Sequence, residues 1–106
     1  MTDAIVVLCT CPDEASARRI ASILVQEKLA ACVNLLPAIT SIYVWQDNLE
    51  ECQEIQLVIK SRRTLFHVLE QRIAELHPYE VPEIIALPIL CGSPSYLQWL
   101  QEQTSP

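Results

Sequence analysis

The chain contains a single glycine, Gly92. A phosphate cradle needs several backbone N–H groups in conformations that glycine adopts most freely, so P-loop and GxGxxG nucleotide binding are excluded. Basic residues are also scarce: seven Lys and Arg stand against thirteen Asp and Glu, a formal net charge of -6. That balance disfavours non-specific nucleic-acid binding, which works by neutralising phosphates. No CxxC, HExxH or Ser-His-Asp pattern occurs, so neither a structural zinc site nor a hydrolytic triad is expected. The first apolar run, Ala4 to Cys9, has no basic segment before it and is too short to span a membrane, and no targeting segment is expected. The cysteines, Cys9, Cys11, Cys32, Cys52 and Cys91, are odd in number. Without a secretory signal, reduced thiols in the cytoplasm are the expectation.

What the chain does have is apolar surface. It is 106 residues long, 51% hydrophobic, with a mean hydropathy of +0.25. That length supports one domain, 1–106, and one core. A surplus of apolar residues in so small a chain suggests a buried interface between subunits.

Ala4 to Cys9 does not alternate and reads as a strand buried on both faces. Pro12-Asp13-Glu14 opens a helix, with Thr10 or Cys11 as cap, and Ala17, Ile20, Ala21 and Leu24 form its inner face. A strand starts at Cys32, is interrupted by a bulge or bend at Pro37, and continues from Ile39 to Gln46. Asp47-Asn48 forms the turn, and Glu54 to Lys60 returns with Ile55, Leu57 and Ile59 in alternation. This is a long hairpin with Tyr43 and Trp45 near its tip. Ser61 to Leu76 is the second helix, striped by Leu65, Leu69, Ile73 and Leu76, and Pro78 ends it. Ile84 to Cys91 is the fourth strand, with Pro88 arguing for an edge or a bulge. Ser93-Pro94 begins a short last helix carrying Tyr96, Leu97, Trp99 and Leu100. The order gives an α+β class: a ferredoxin-like βαββαβ sandwich with a long β2–β3 hairpin and a short C-terminal helix. Two helices cover one face of such a sheet, so a second copy of the chain is expected on the other.

The chemistry concentrates in His77-Pro78-Tyr79-Glu80-Val81-Pro82-Glu83. Two prolines stiffen this loop, which presents an imidazole, a phenol and carboxylates at the mouth of a strand. His77 with Glu80 or Glu83 is a ligand mix for Zn or Cu(II), although a histidine also suits a helix C-terminus through the dipole. Cys9 and Cys11 share a strand face and form a thiol pair that could hold Cu(I), or serve as small core residues. Lys60-Ser61-Arg62-Arg63 is the one basic run. It could meet an anion at a helix start but reads more simply as a solvated face. His67 lies beside the second helix's stripe and reads as structural. Tyr43 and Trp45 read as interface anchors.

Val6-Val7-Leu8-Cys9-Thr10-Cys11-Pro12-Asp13, Glu27-Lys28-Leu29-Ala30-Ala31-Cys32-Val33-Asn34 and the loop 77–83 each resemble segments of the divalent-cation tolerance family CutA. Tyr96-Leu97-Gln98-Trp99-Leu100 resembles its closing helix. The resemblance implies a tight homotrimer akin to PII signalling proteins, involved in the response to metal ions, copper above all. It implies metal ligands at Cys9, in the loop-histidine region and at Glu83. The histidine region falls here on Leu76-His77, so His77 serves if the loop turns it inward.

Metal binding therefore heads the functional expectations: copper or another divalent cation at Cys9, His77 and Glu83, with no organic cofactor and no enzymatic activity. The alternative is a PII-like signalling trimer whose inter-subunit clefts, lined by Asn34, Lys60, Tyr79 and Glu83, hold a small molecule, with an unidentified signalling partner. An acylphosphatase is disfavoured because Pro12-Asp13-Glu14 would repel phosphate. An RNA-recognition module is disfavoured by charge and by the lack of basic-aromatic strands. Nucleic acid and membrane are not expected as partners.

Overall fold

The computed structural model describes residues 2–106. Its order is β1 (Ala4–Cys11), α1 (Glu14–Gln26), β2 (Cys32–Trp45), β3 (Asn48–Arg62), a 3₁₀ turn (Arg63–Leu65), α2 (Phe66–Leu76), β4 (Ile85–Pro88) and α3 (Pro94–Gln103). The four strands form one antiparallel sheet in the order β2-β3-β1-β4. This is the expected ferredoxin-like plan with its extra C-terminal helix.

Alternation along the central strands builds the core. Ile5, Val7, Cys9 and Cys11 of β1 join Leu57 and Ile59 of β3, and against them pack Ala17, Ile20 and Leu24 of α1 and Leu69, Ile73 and Leu76 of α2. These are the helix faces that the 3.6-residue period selects. On the opposite face α3 seats Leu100 against Ala4 and Ala31. It covers only that end. Val6 pairs with Leu87 and Leu8 with Ile85, and Ile85 and Leu87 remain 52% and 50% exposed.

Several boundaries differ from those the sequence suggests, each for a local reason. β1 runs two residues past Cys9, because Thr10 and Cys11 pair with Gln56 and Ile55. The cap of α1 is consequently Asp13, not Thr10 or Cys11; its carboxylate accepts the Ser16 N–H at 2.8 Å. The hairpin turns at Gln46-Asp47, one residue earlier than expected. Both have positive φ, 51° and 66°, the type I′ geometry that matches strand twist. The returning strand occupies Asn48 to Arg62, well beyond Glu54 to Lys60. The ladder continues through Ser61 and Arg62, opposite Ile5 and Ala4, so α2 starts only at Phe66. β4 is four residues long, with Pro88 on the sheet edge, where a missing N–H breaks no ladder on the open side. The bulge falls where Pro37 places it, between Leu36 and Ile39, with Ala38 at φ 57°.

The bulge exchanges the two faces of β2. Beyond it Ile39, Ser41, Tyr43 and Trp45 register with Glu54, Cys52, Glu50 and Asn48 on the face away from α1 and α2. The hairpin extends past the helices and stretches the molecule to 45 × 25 × 22 Å.

Candidate metal cluster and acidic cleft

β1 delivers two thiols to one point. Cys9 and Cys11 lie two apart on the helix-covered face, and both are fully buried. α2 delivers the third group. Pro78 pushes His77 out of the helical region to ψ 137°, which stops α2 and swings the imidazole inward. The His77 N–H still closes the helix on the Ile73 carbonyl at 2.8 Å. One ligand atom each from Cys9, Cys11 and His77 lie within 4.8 Å of one another.

The His77 ring is already occupied on both sides. Nδ1 accepts the Tyr79 N–H at 3.0 Å, so it carries no proton. Nε2 therefore carries the proton and donates it to the Thr10 carbonyl at 2.7 Å. The Tyr79 ring lies against the imidazole with centroids 4.9 Å apart. A metal taken by His77 must displace one of these two bonds. The thiols are mutually held. A hydrogen bond from Cys9 to Cys11 pushes the Cys11 thiol down and the Cys9 thiol up, and burial adds to the rise at Cys9.

Glu83 is not in this cluster. It is exposed and lines a neighbouring cleft of about 680 Å³ between the 77–83 loop and the outer half of the hairpin. Tyr43, Trp45, Glu54, Tyr79 and Glu80 also line it. Glu54 is only 5% exposed, and its Oε2 accepts the Tyr79 hydroxyl at 2.6 Å. Burial and this bond, with the glutamate's charge, push the Tyr79 phenol well above its ordinary range. Tyr43 sits 3.4 Å from the Cys52 sulfur, and that contact, with lesser help from burial and nearby acids, raises its phenol to about 12.

Of the four expected cleft residues Tyr79 and Glu83 line this cleft. Asn34 and Lys60 lie on the open sheet face, in register with Val58 and Cys32. Lys60 is six residues along β3 from Glu54, about 20 Å at strand rise. The basic run does not converge on an anion site. Arg62 instead fastens the C-terminus, donating to the Thr104 hydroxyl at 2.9 Å and its carbonyl at 3.1 Å. Sequence reasoning missed two participants. Cys11 was visible as the partner of Cys9 but was not carried into the ligand set. Glu54 showed only as a polar residue on the face opposite Ile55, because its burial depends on a loop far along the chain.

Residues 5–103 match the family described as CutA1 divalent ion tolerance protein. The chain belongs to this family. It is 54% identical over 99 residues to the divalent-cation tolerance protein CutA of Thermus thermophilus, covering 93% of this chain and 96% of that one. The structure superimposes on CutA from Xylella fastidiosa with a TM-score of 0.96 at 43% identity, over 98% of this chain and 100% of that one. CutA from Archaeoglobus fulgidus, described as a periplasmic divalent cation tolerance protein, gives 0.94 at 33% identity, over 96% and 99%. Among the described residues no helix is long and apolar enough to cross a membrane.

Proposed function

We propose that the protein is a homotrimeric, metal-responsive CutA1 protein that binds copper or another divalent cation through Cys9 and His77, with Glu83 as the expected third ligand and Cys11 added by geometry. The observation that carries this reading is the convergence of two thiols and an imidazole within 4.8 Å at the end of β1. Two sulfurs and a nitrogen form a soft donor set, suited to Cu(I) over Mg or Ca. Glu83 stands outside, on the cleft, and joins as a ligand if metal entry draws the loop inward. The apolar open face, with Ile85 and Leu87 uncovered, supports assembly. The odd number of thiols supports a reducing cytoplasm. On this reading the protein is not an enzyme and uses no organic cofactor.

Native mass spectrometry of the reduced protein with Cu(I), Cu(II) or Zn tests the proposal. A trimer taking one ion per subunit is expected, with uptake lost in Cys9→Ser combined with His77→Ala. Unchanged uptake in that variant would refute the assigned ligands. A second reading, a small-molecule signalling trimer, is favoured by the cleft at Tyr79, whose volume lies in the range of ligand pockets. Asn34 and Lys60 line a separate stretch of the open face.

A further inference from the structure

We propose that the cleft at Tyr79 binds an organic ammonium ion, with Glu54 as its buried counter-charge and Tyr43, Trp45 and Tyr79 as its aromatic wall. The proposal rests on the second reading above, that this cleft takes a small molecule, and it names the class.

Three observations lead to it. The first is the electrostatic position of Glu54. A carboxylate this buried ordinarily has a cationic partner. Glu54 has only the neutral Tyr79 hydroxyl, and among the described residues no Lys, Arg or His pairs with it. It faces the cleft, so a cation entering there supplies the missing charge.

The second is the wall. Tyr43 and Trp45 come to the same face as Glu54 because the Pro37–Ala38 bulge shifts the register of β2. Both remain exposed in the subunit, Trp45 at 47%. Aromatic faces carry negative potential and attract cations, most strongly when the ion is desolvated. Tyr79 is held in place by its bonds to Glu54 and His77.

The third is the spacing of the acids. Glu54, Glu80 and Glu83 all line the cleft, and among the described residues no basic residue does. The absence of a basic residue rejects phosphates and carboxylates. Yet among the described residues these three carboxylates do not converge at one point; the one group of three or more metal-ligating side chains that does is Cys9, Cys11 and His77, with sulfur and nitrogen donors. A bare metal ion needs convergent donors at short range. A cation with its charge spread over alkyl groups is suited by dispersed carboxylates and aromatic faces in a cleft of about 680 Å³.

The test is a titration of Trp45 fluorescence in the full-length protein, in a Trp99→Phe background so that one indole reports. The probes are tetramethylammonium and spermidine, with neopentyl alcohol and acetate as neutral and anionic controls at constant ionic strength. Saturable quenching by the ammonium probes alone is expected. Glu54→Gln, which can still accept the Tyr79 hydroxyl, is expected to weaken binding at least tenfold. Tyr43→Ala, at an exposed position, provides a second variant with the same expected loss should Glu54→Gln fail to fold. Binding of the neutral probe as tight as that of tetramethylammonium, or unchanged affinity in Glu54→Gln, would overturn the ammonium assignment and leave a small-molecule cleft intact. No response to any probe in the assembled protein, with the indole already shielded from acrylamide, would show that a second copy fills the cleft and would overturn both.

Discussion

The two faces of the sheet are built from the same strands and finished to different degrees. Towards the helices, Val7, Cys9, Leu57 and Ile59 are sealed, each among side chains from α1 and α2. Away from them, Leu8 and Val58 are half-covered and Ile85 and Leu87 are bare. A strand that alternates between two such faces serves two purposes at once. Its odd positions in β1 hold the subunit together, and its even positions lie on the half-covered face proposed to meet a second copy. The candidate ligands collect where the faces meet, at the far end of β1. Cys9 and Cys11 lie on the sealed side, and Thr10 between them lies on the open side, against the cleft. His77 connects the two by bonding the Thr10 carbonyl while its ring lies with the thiols.

The sharpest test of that contrast is a pair of truncations. Leu57→Ala on the sealed face is expected to cost about 2–5 kcal/mol, the range for a buried leucine whose site collapses only in part. Urea denaturation measures it. Leu87→Asp on the open face is expected to leave the subunit folded by circular dichroism and to shift sedimentation from trimer to monomer. If both changes merely unfold the chain, the faces are not distinct. If Leu87→Asp remains trimeric, the open face is not the contact.

A smaller effect is expected at the seam. Tyr79→Phe removes the hydroxyl that bonds Glu54 at 2.6 Å. Hydrogen bonds to charged groups contribute about 1.5–3 kcal/mol; the loss falls in that range because the carboxylate is left buried and alone. The same bond gives a pH signature. Burial, the bond to Glu54 and its charge raise the folded phenol's pKa above the unfolded value. The folded state thus holds its proton more tightly, and this contribution is complete below about pH 10 and declines as pH rises beyond it. Stability measured from pH 9 to 11 should fall more steeply in the parent than in Tyr79→Phe. Parallel curves would remove the coupling between Tyr79 and Glu54.

The sealed face was largely legible in the sequence, and the seam was not. Ala17, Ile20, Ala21 and Leu24 follow the helical period so closely that the inner face of α1 could be read directly. Ile55, Leu57 and Ile59 did the same for β3. Pro37 announced the bulge and Pro88 the edge. These are local signals, each carried by neighbours in the chain. Glu54 and Tyr79 are 25 residues apart, and Cys9 and His77 still further. Their meeting depends on the register of β3 against β1 and on where Pro78 stops α2. Asn34 and Lys60 show the same limit. Their grouping with Tyr79 rested on a resemblance at the level of the whole fold, and within the subunit they line another part of the open face.

The smallest effect separates tertiary packing from local geometry. α1 ends in a Schellman turn: the Leu29 N–H reaches the Leu24 carbonyl at 2.9 Å and the Lys28 N–H reaches that of Val25 at 3.1 Å. Closing this turn puts Lys28 at φ 62°, a left-handed conformation that glycine accepts and a residue with a Cβ resists. Lys28 is exposed, so its side chain contributes little to the core. Lys28→Gly should therefore stabilise the protein by about 1 kcal/mol, relief of backbone strain being partly offset by the greater freedom glycine gives the unfolded chain. A urea midpoint that rises with unchanged slope confirms this. A fall would mean either that the freedom of the unfolded chain outweighs the strain relief or that the Lys28 side chain makes a contact outside the subunit. Repeating the measurement in the Leu87→Asp background decides whether that contact belongs to the open-face assembly, because a penalty that disappears on dissociation can only come from another copy.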